Sequence, residues 1–190
     1  MVWDKSLGHR SVDKLVFSFC GWDRLENLVQ SQDNKVVKLL ILSLFKTGAR
    51  ANEVLTLKGE QIVSKKGRLF VVNMPVLKRH LSTVPVRTVP IPIEERLTRS
   101  WINLMPSEGK FFDFQYKKAY KIIHDLESKD GKKGPWWPHR FRAERARQLV
   151  EDYDFDALLL KQFFEMARID TVLHYASPNL RAVEKAMMRL

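Results

Sequence analysis

Apolar and polar residues alternate along the chain with three different rhythms. Over residues 11–46 the period is helical: Leu15, Val16, Phe19 and Cys20 fall on one stripe, and Leu25, Leu28 and Val29 on another. Asp33 or Asn34 is placed to cap the next helix, Lys35 to Lys46. That helix is apolar on most faces and is expected to be buried. Thr47-Gly48 breaks it. A short helix follows, with Val54, Leu55 and Leu57 inward and Gly59 at its end.

The middle of the chain is extended. Arg68 to Met74 is β-branched and aromatic, and Lys65-Lys66-Gly67 forms a turn before it. Val84 to Ile93 is a second run whose prolines, Pro85, Pro90 and Pro92, suit only an edge strand. The two runs are expected to pair antiparallel across a loop near Leu77 to Thr83. Helices resume at Glu94 to Leu104 and Phe114 to Glu127. The stretch from Lys129 to Pro138 is irregular. Further helices are expected at His139 to Glu151, Phe155 to Phe164 and Pro178 to Leu190. The fold class that results is mostly α with a small antiparallel β-sheet, without internal repeats.

Composition narrows what such a domain can do. The chain has 190 residues, enough for one domain. Cys20 is the sole cysteine, which excludes a disulfide framework and a multi-Cys zinc module. The five histidines show no ligand spacing with Cys20 or with carboxylates, so no metal site and no cofactor is expected. The longest apolar run, Leu39 to Phe45, is too short to span a bilayer, and the N-terminus lacks a signal-peptide core. A cytoplasmic protein without a membrane partner is expected. Its net charge of +11 favours a polyanion, nucleic acid ahead of an anionic membrane surface.

Three places carry chemistry. The first is Thr47-Gly48-Ala49-Arg50-Ala51-Asn52-Glu53. Arg50 follows a helix break and sits near a helix N-terminus, where guanidinium and free backbone N–H groups can both meet a phosphate. Glu53, one turn on, can fix Arg50 or cap the helix; the alternative is a plain surface ion pair. The second is Pro138-His139-Arg140-Phe141-Arg142. His139 and Arg142 share a helix face, and a proton-handling group beside a bidentate arginine suits phosphoryl transfer. The alternative is a solvated basic face that also includes Arg145 and Arg147. The third is His174-Tyr175-Ala176-Ser177, in which Tyr175 is either a packing residue or a nucleophile.

In this order and at this spacing, the three elements resemble the catalytic domain of the tyrosine recombinase (phage integrase) family. Thr47-Gly48-Ala49-Arg50 with Glu53 is similar to the family's first arginine turn. His139 and Arg142 match its His-x-x-Arg helix, and Tyr175 lies at the nucleophile position. Arg87-Thr88-Val89-Pro90-Ile91 resembles the strand after the family's hairpin lysine, which points to Lys78, with Lys65 and Lys66 as the fallback. Three segments follow: an N-terminal helical lead-in (1–34), a catalytic core (35–177) and a C-terminal helical tail (178–190), all in one domain. The family's N-terminal DNA clamp does not fit into the lead-in, which implies an isolated catalytic domain or a minimal recombinase.

The resemblance implies cleavage and rejoining of double-stranded DNA through a 3′-phosphotyrosyl link, without a cofactor. It implies Tyr175 as nucleophile, Arg50 and Arg142 on the phosphate, His139 beside them and Lys78 protonating the departing 5′ hydroxyl. It also implies a homo-oligomer, a tetramer, on DNA (compatible with a monomer off it) in a prokaryotic or viral setting. Lys58, Lys65, Lys66, Arg79, Lys132, Lys133 and Arg140 are candidates for contacts to the DNA backbone. Trp136-Trp137 is expected to anchor its loop to the core rather than to stack on DNA. One position departs from the pattern. Met166 stands where the family has histidine or tryptophan, and methionine cannot donate a hydrogen bond. Arg168 or His174 is then the substitute donor. Otherwise the site works with fewer donors, or the chain is a catalytically degenerate DNA-binding relative.

Overall fold

The computed structural model describes residues 19–77, 86–126 and 136–166. Helix α2 (Lys35–Thr47) is at the centre, and every residue from Leu39 to Thr47 is buried. Around it pack α1 (Trp22–Gln30), α3 (Ala51–Val54), α4 (Thr98–Leu104), α5 (Tyr116–His124), α6 (Pro138–Tyr153) and strand β3 (Val86–Pro92). A helix enclosed on all sides has to be apolar all round, which is the pattern its sequence shows. Asn34 starts it: Oδ1 accepts from the amides of Val36 at 2.8 Å and Val37 at 3.3 Å. Gly48 stops it in the left-handed region, φ +56°. α1 shares this core through Leu25 and Leu28.

The sheet has three antiparallel strands in the order β1 (Ile62–Lys65), β2 (Leu69–Pro75), β3. The expected pair is therefore β2 and β3, with β3 at an edge as its prolines require. The added strand, β1, is short and mostly exposed, so it carries little hydrophobic pattern. Along β3, Arg87, Val89 and Ile91 face the core while Val86, Thr88 and Pro90 face out.

Several boundaries differ from expectation. Phe19 and Cys20 are not helical. Gly21, at φ +89°, turns the chain into α1 at Trp22, and the two preceding amides donate to Glu151 and Glu144 of α6 instead. α3 ends at Val54, and Gly59 does not terminate it but opens a 3₁₀ turn. A Cβ at Gly59 would lie 2.4 Å from the carbonyl oxygens of Pro106 and Ser107, so close packing demands that glycine. α4 starts only at Thr98, after a turn with Leu97 at φ +65°. α5 is shorter at both ends than Phe114 to Glu127. α6 runs to Tyr153, and α7 covers Ala157–Phe164, capped by Asp156. The tail helix expected at residues 178–190, and most of the irregular stretch before Pro138, lie outside the described residues.

Candidate functional site

The site is built where two chain breaks meet. Gly48 ends α2, and Arg50 becomes the residue before the first turn of α3. Glu53 does both things expected of it. Its Oε2 accepts from the Arg50 amide at 2.9 Å, and its Oε1 accepts from Arg50 Nη1 at 3.0 Å. Because Glu53 is buried, it fixes the direction of a guanidinium whose side chain is 40% exposed. Opposite, Pro138 supplies the first residue of α6 and places His139 at the helix entrance. Arg50, Asn52, Tyr116 and His139 line one open pocket of about 260 Å³. Burial lowers the proton affinity of His139, and the charges of Arg142 and Arg50 lower it further. The imidazole is thereby biased toward its neutral form, which can both donate and accept.

Arg142, one turn further along α6, turns inward and is only 2% exposed. Its Nη1 donates to the Gly48 carbonyl at 2.7 Å and its Nη2 to the Phe164 carbonyl at 3.0 Å. Its guanidinium lies 4.5 Å over the Phe164 ring. The structure thus brings Arg50, His139 and Arg142 together from α3 and α6.

The next turn of α6 is not a solvated basic face. Arg145 is buried and donates to both oxygens of Glu95 at 2.7 Å. Lys46 reaches the same carboxylate at 2.6 Å and also donates to Thr98 Oγ1 and the Arg96 carbonyl. Tyr153 adds a hydroxyl donor at 3.0 Å. Burial raises the Glu95 carboxyl, but Arg145 and Lys46 outweigh it and hold the group below its ordinary value. Arg147 pairs with the buried Glu144. The Lys46–Glu95–Arg145 cluster ties α2 and α6 to the turn before α4, a role the sequence did not reveal. Lys46, directly after the apolar run Leu39 to Phe45, was the available signal.

Arg87 was also missed as a functional candidate. It is 3% exposed and donates to the carbonyls of Thr47 and Phe163 at 3.1 and 3.0 Å. Burial lowers it to about 10, which leaves it charged at neutral pH. Its signal was the strand alternation, which places it in register with Val89 and Ile91 on the inner face.

Met166 is in the core, 8% exposed, as a packing residue. Tyr175, Lys78, Arg79, Lys132, Lys133, Arg168 and His174 lie outside the described residues. Lys58, Lys65 and Lys66 are exposed on the sheet side. Arg140 is held over the Trp136 ring at 4.6 Å and beside Glu144 at 3.4 Å. Trp136 is the anchor expected of this loop, stacked on Phe141 at 4.9 Å between ring centroids, whereas Trp137 is exposed. Among the described residues there is no group of His, Cys, Asp and Glu able to hold a metal, and no helix long and apolar enough to cross a membrane.

Comparison with known proteins gives one family and one fold. A family model described as the phage integrase family matches residues 22–181. No curated protein sequence matches. Among solved structures, the XerA recombinase superposes with a TM-score of 0.65 at 20% identity, over 90% of this chain and 64% of that one. The catalytic domain of bacteriophage HP1 integrase gives 0.59 at 19%, over 90% and 94%. The XerH site-specific recombinase, in a post-cleavage complex with its palindromic difH substrate, gives 0.60 at 19%, over 94% and 54%. The chain therefore spans less than two thirds of the two Xer proteins and nearly the whole of the HP1 catalytic domain. At these identities the likeness is one of fold.

Proposed function

The chain belongs to the phage integrase family and has the fold of tyrosine recombinase catalytic domains, and from that premise we propose that it cleaves and rejoins double-stranded DNA in site-specific recombination. The observation that carries the proposal is the clustering of Arg50, His139 and Arg142, with the proton affinity of His139 depressed first by burial and then by both guanidiniums. Arg50 and His139 at an open pocket, with the buried Arg142 guanidinium behind them, suit a phosphodiester, whose transition state gathers charge on its non-bridging oxygens. Tyr175 would attack phosphorus and expel the 5′ hydroxyl, leaving a 3′-phosphotyrosyl bond. Lys78 would protonate the leaving oxygen. Attack by another 5′ hydroxyl reverses the step, so the bond energy is conserved. Arg50 and Arg142 would act as fixed donors, each worth roughly 3–4 kcal/mol. A homo-oligomer on DNA, as a tetramer, belongs to the same proposal.

A second reading is supported by Met166. The position nine residues before Tyr175 is a buried thioether with no donor, which suits a DNA-binding relative that does not cleave. One experiment separates the two. The protein is incubated with a nicked suicide substrate and resolved on a denaturing gel. A covalent adduct that disappears in Tyr175→Phe supports the enzyme. DNA that is bound but never joined to the protein refutes it in favour of the second reading.

A further inference from the structure

Two helices end against each other beside the pocket. α2 stops at Thr47 and Gly48, and α7 stops at Phe164 and Glu165. A helix C-terminus carries unpaired carbonyls and about half a negative charge, so two facing ends repel unless something positive lies between them. Here the cations are two arginines from different elements. Arg87, from β3, donates to the carbonyls of Thr47 and Phe163. Arg142, from α6, donates to those of Gly48 and Phe164, the next residue in each segment. The two guanidiniums therefore bond to neighbouring carbonyls on both strands of backbone, like two rungs of a ladder. α7 uses its remaining terminal carbonyls locally: Gln162 accepts from the Glu165 amide and Lys161 from the Met166 amide.

What the rungs join matters for the chemistry. Gly48 is two residues before Arg50. Phe164 ends the last described helix before the chain continues to Tyr175. We propose that Arg87 is a positioning residue of the reaction centre, a buried guanidinium that holds the arginine-bearing turn and the end of α7, which leads in sequence toward Tyr175, in one fixed relation. This rests on the function proposed above, and it assigns Arg87 no contact with DNA. Arg142, on the adjacent rung, is assigned to the phosphate by that same proposed function, so Arg87 is the member of the pair that can be changed without removing a proposed phosphate ligand. Lysine at this position keeps the charge but loses the fork that reaches two carbonyls at once. Methionine keeps the volume and loses both.

The test uses Arg87→Lys and Arg87→Met in the intact chain, with three measurements. The first is hydrogen exchange of the amides of Arg50, Glu165 and Met166, which report the two segments. The second is affinity for duplex DNA. The third is the single-turnover rate of adduct formation at saturating suicide substrate. Both variants should exchange faster at those amides while α1 and α4 keep wild-type protection. DNA affinity should stay within about threefold of wild type, because no contact to DNA is lost. The rate should fall by about tenfold to a hundredfold, the usual consequence of misplacing reacting groups by about an ångström, and less in Arg87→Lys. Unchanged exchange at the three amides overturns the proposal, whatever happens to activity. So does a rate loss matched by a loss of DNA affinity, or faster exchange spread evenly over the whole chain. If the wild type forms no adduct on DNA it binds, the proposed reaction fails, and the exchange measurement still decides whether Arg87 holds the two segments.

Discussion

Replacing Glu95 with glutamine removes one negative charge and almost no volume. Among the described residues, Lys46 and Arg145 make their ion pairs with Glu95 alone. All three side chains are at most 2% exposed. Removing one partner of a buried pair leaves an uncompensated charge and costs about 3–5 kcal/mol. Here two cations lose the same anion, but each keeps neutral partners. Lys46 retains Thr98 Oγ1 at 2.8 Å, and Arg145 retains Gln148 Oε1 at 2.7 Å. The expected loss is therefore at the lower end, about 3 kcal/mol. For a chain of this size that lowers Tm by roughly 6–12 °C. Urea unfolding followed by tryptophan fluorescence and circular dichroism measures it, with an unchanged m value as the condition for comparison.

The same variant carries a pH signature. Burial pushes Lys46 down to about 8, and Glu95 is the neighbour that holds it up. An amine with a native value below its unfolded value gives up its proton first in the folded state. The unfolded chain then binds more protons, and stability rises with pH. In the wild type this gain begins only above about pH 8. Without Glu95 it should begin nearer neutrality, so the gap between variant and wild type narrows as the pH is raised from 7. Replacing all three charges together (Lys46→Met, Glu95→Leu, Arg145→Met) should cost far less than Glu95→Gln alone, because a dry apolar cluster needs no compensation. A loss below about 1 kcal/mol in Glu95→Gln, at constant m, would refute the assignment of a coupled buried cluster.

Gly48→Ala should destabilise by at least about 2 kcal/mol, from the left-handed backbone together with a Cβ that would fall 2.4 Å from the Phe164 ring; thermal melts check this, and a neutral substitution would mean that the α2–α7 junction is looser than described. His139 should titrate below the ordinary imidazole value by NMR, because of burial and the charges of Arg142 and Arg50. Arg50→Ala should move its midpoint up without restoring it fully. The sign is fixed: a depressed base takes up its proton first in the unfolded chain, so its share of stability is intact above about 6.5 and is lost as the pH falls. A wild-type midpoint at or above the ordinary value would sink the proposed proximity of the three groups.

The core and most elements were legible in the chain because burial imposes a period. α2 was readable from its all-round apolar character and from Asn34. The edge position of β3 was readable from its prolines. β1 was not, because a four-residue, mostly exposed strand has no face to write a pattern on. Phe19 and Cys20 kept helical spacing, yet their amides bond to α6 carboxylates brought there only by folding. In the site, Arg50 and His139 stood out because each sits next to a local signal, a glycine break or a helix-starting proline. Arg87 and the Lys46–Glu95–Arg145 cluster lacked such signals, since their partners are 40 to 76 residues away along the chain.

Residue types and spacing alone determined that the chain is a basic, mostly helical domain with a small sheet. Local chemistry sets these: apolar period, caps, breakers and charge. The order of its arginine, histidine and tyrosine motifs pointed to a recombinase catalytic domain only through resemblance to that family. Only the tertiary structure decided what each charge does. Arg50 remains half-open to a pocket because Glu53 fixes it from behind. Arg142, Arg145 and Arg87 are drawn inside, where their terminal nitrogens donate to carbonyls and one carboxylate. The reason is physical. A guanidinium costs too much to bury unless distant parts of the chain supply its acceptors, and which distant parts meet is a property of the fold rather than of any segment.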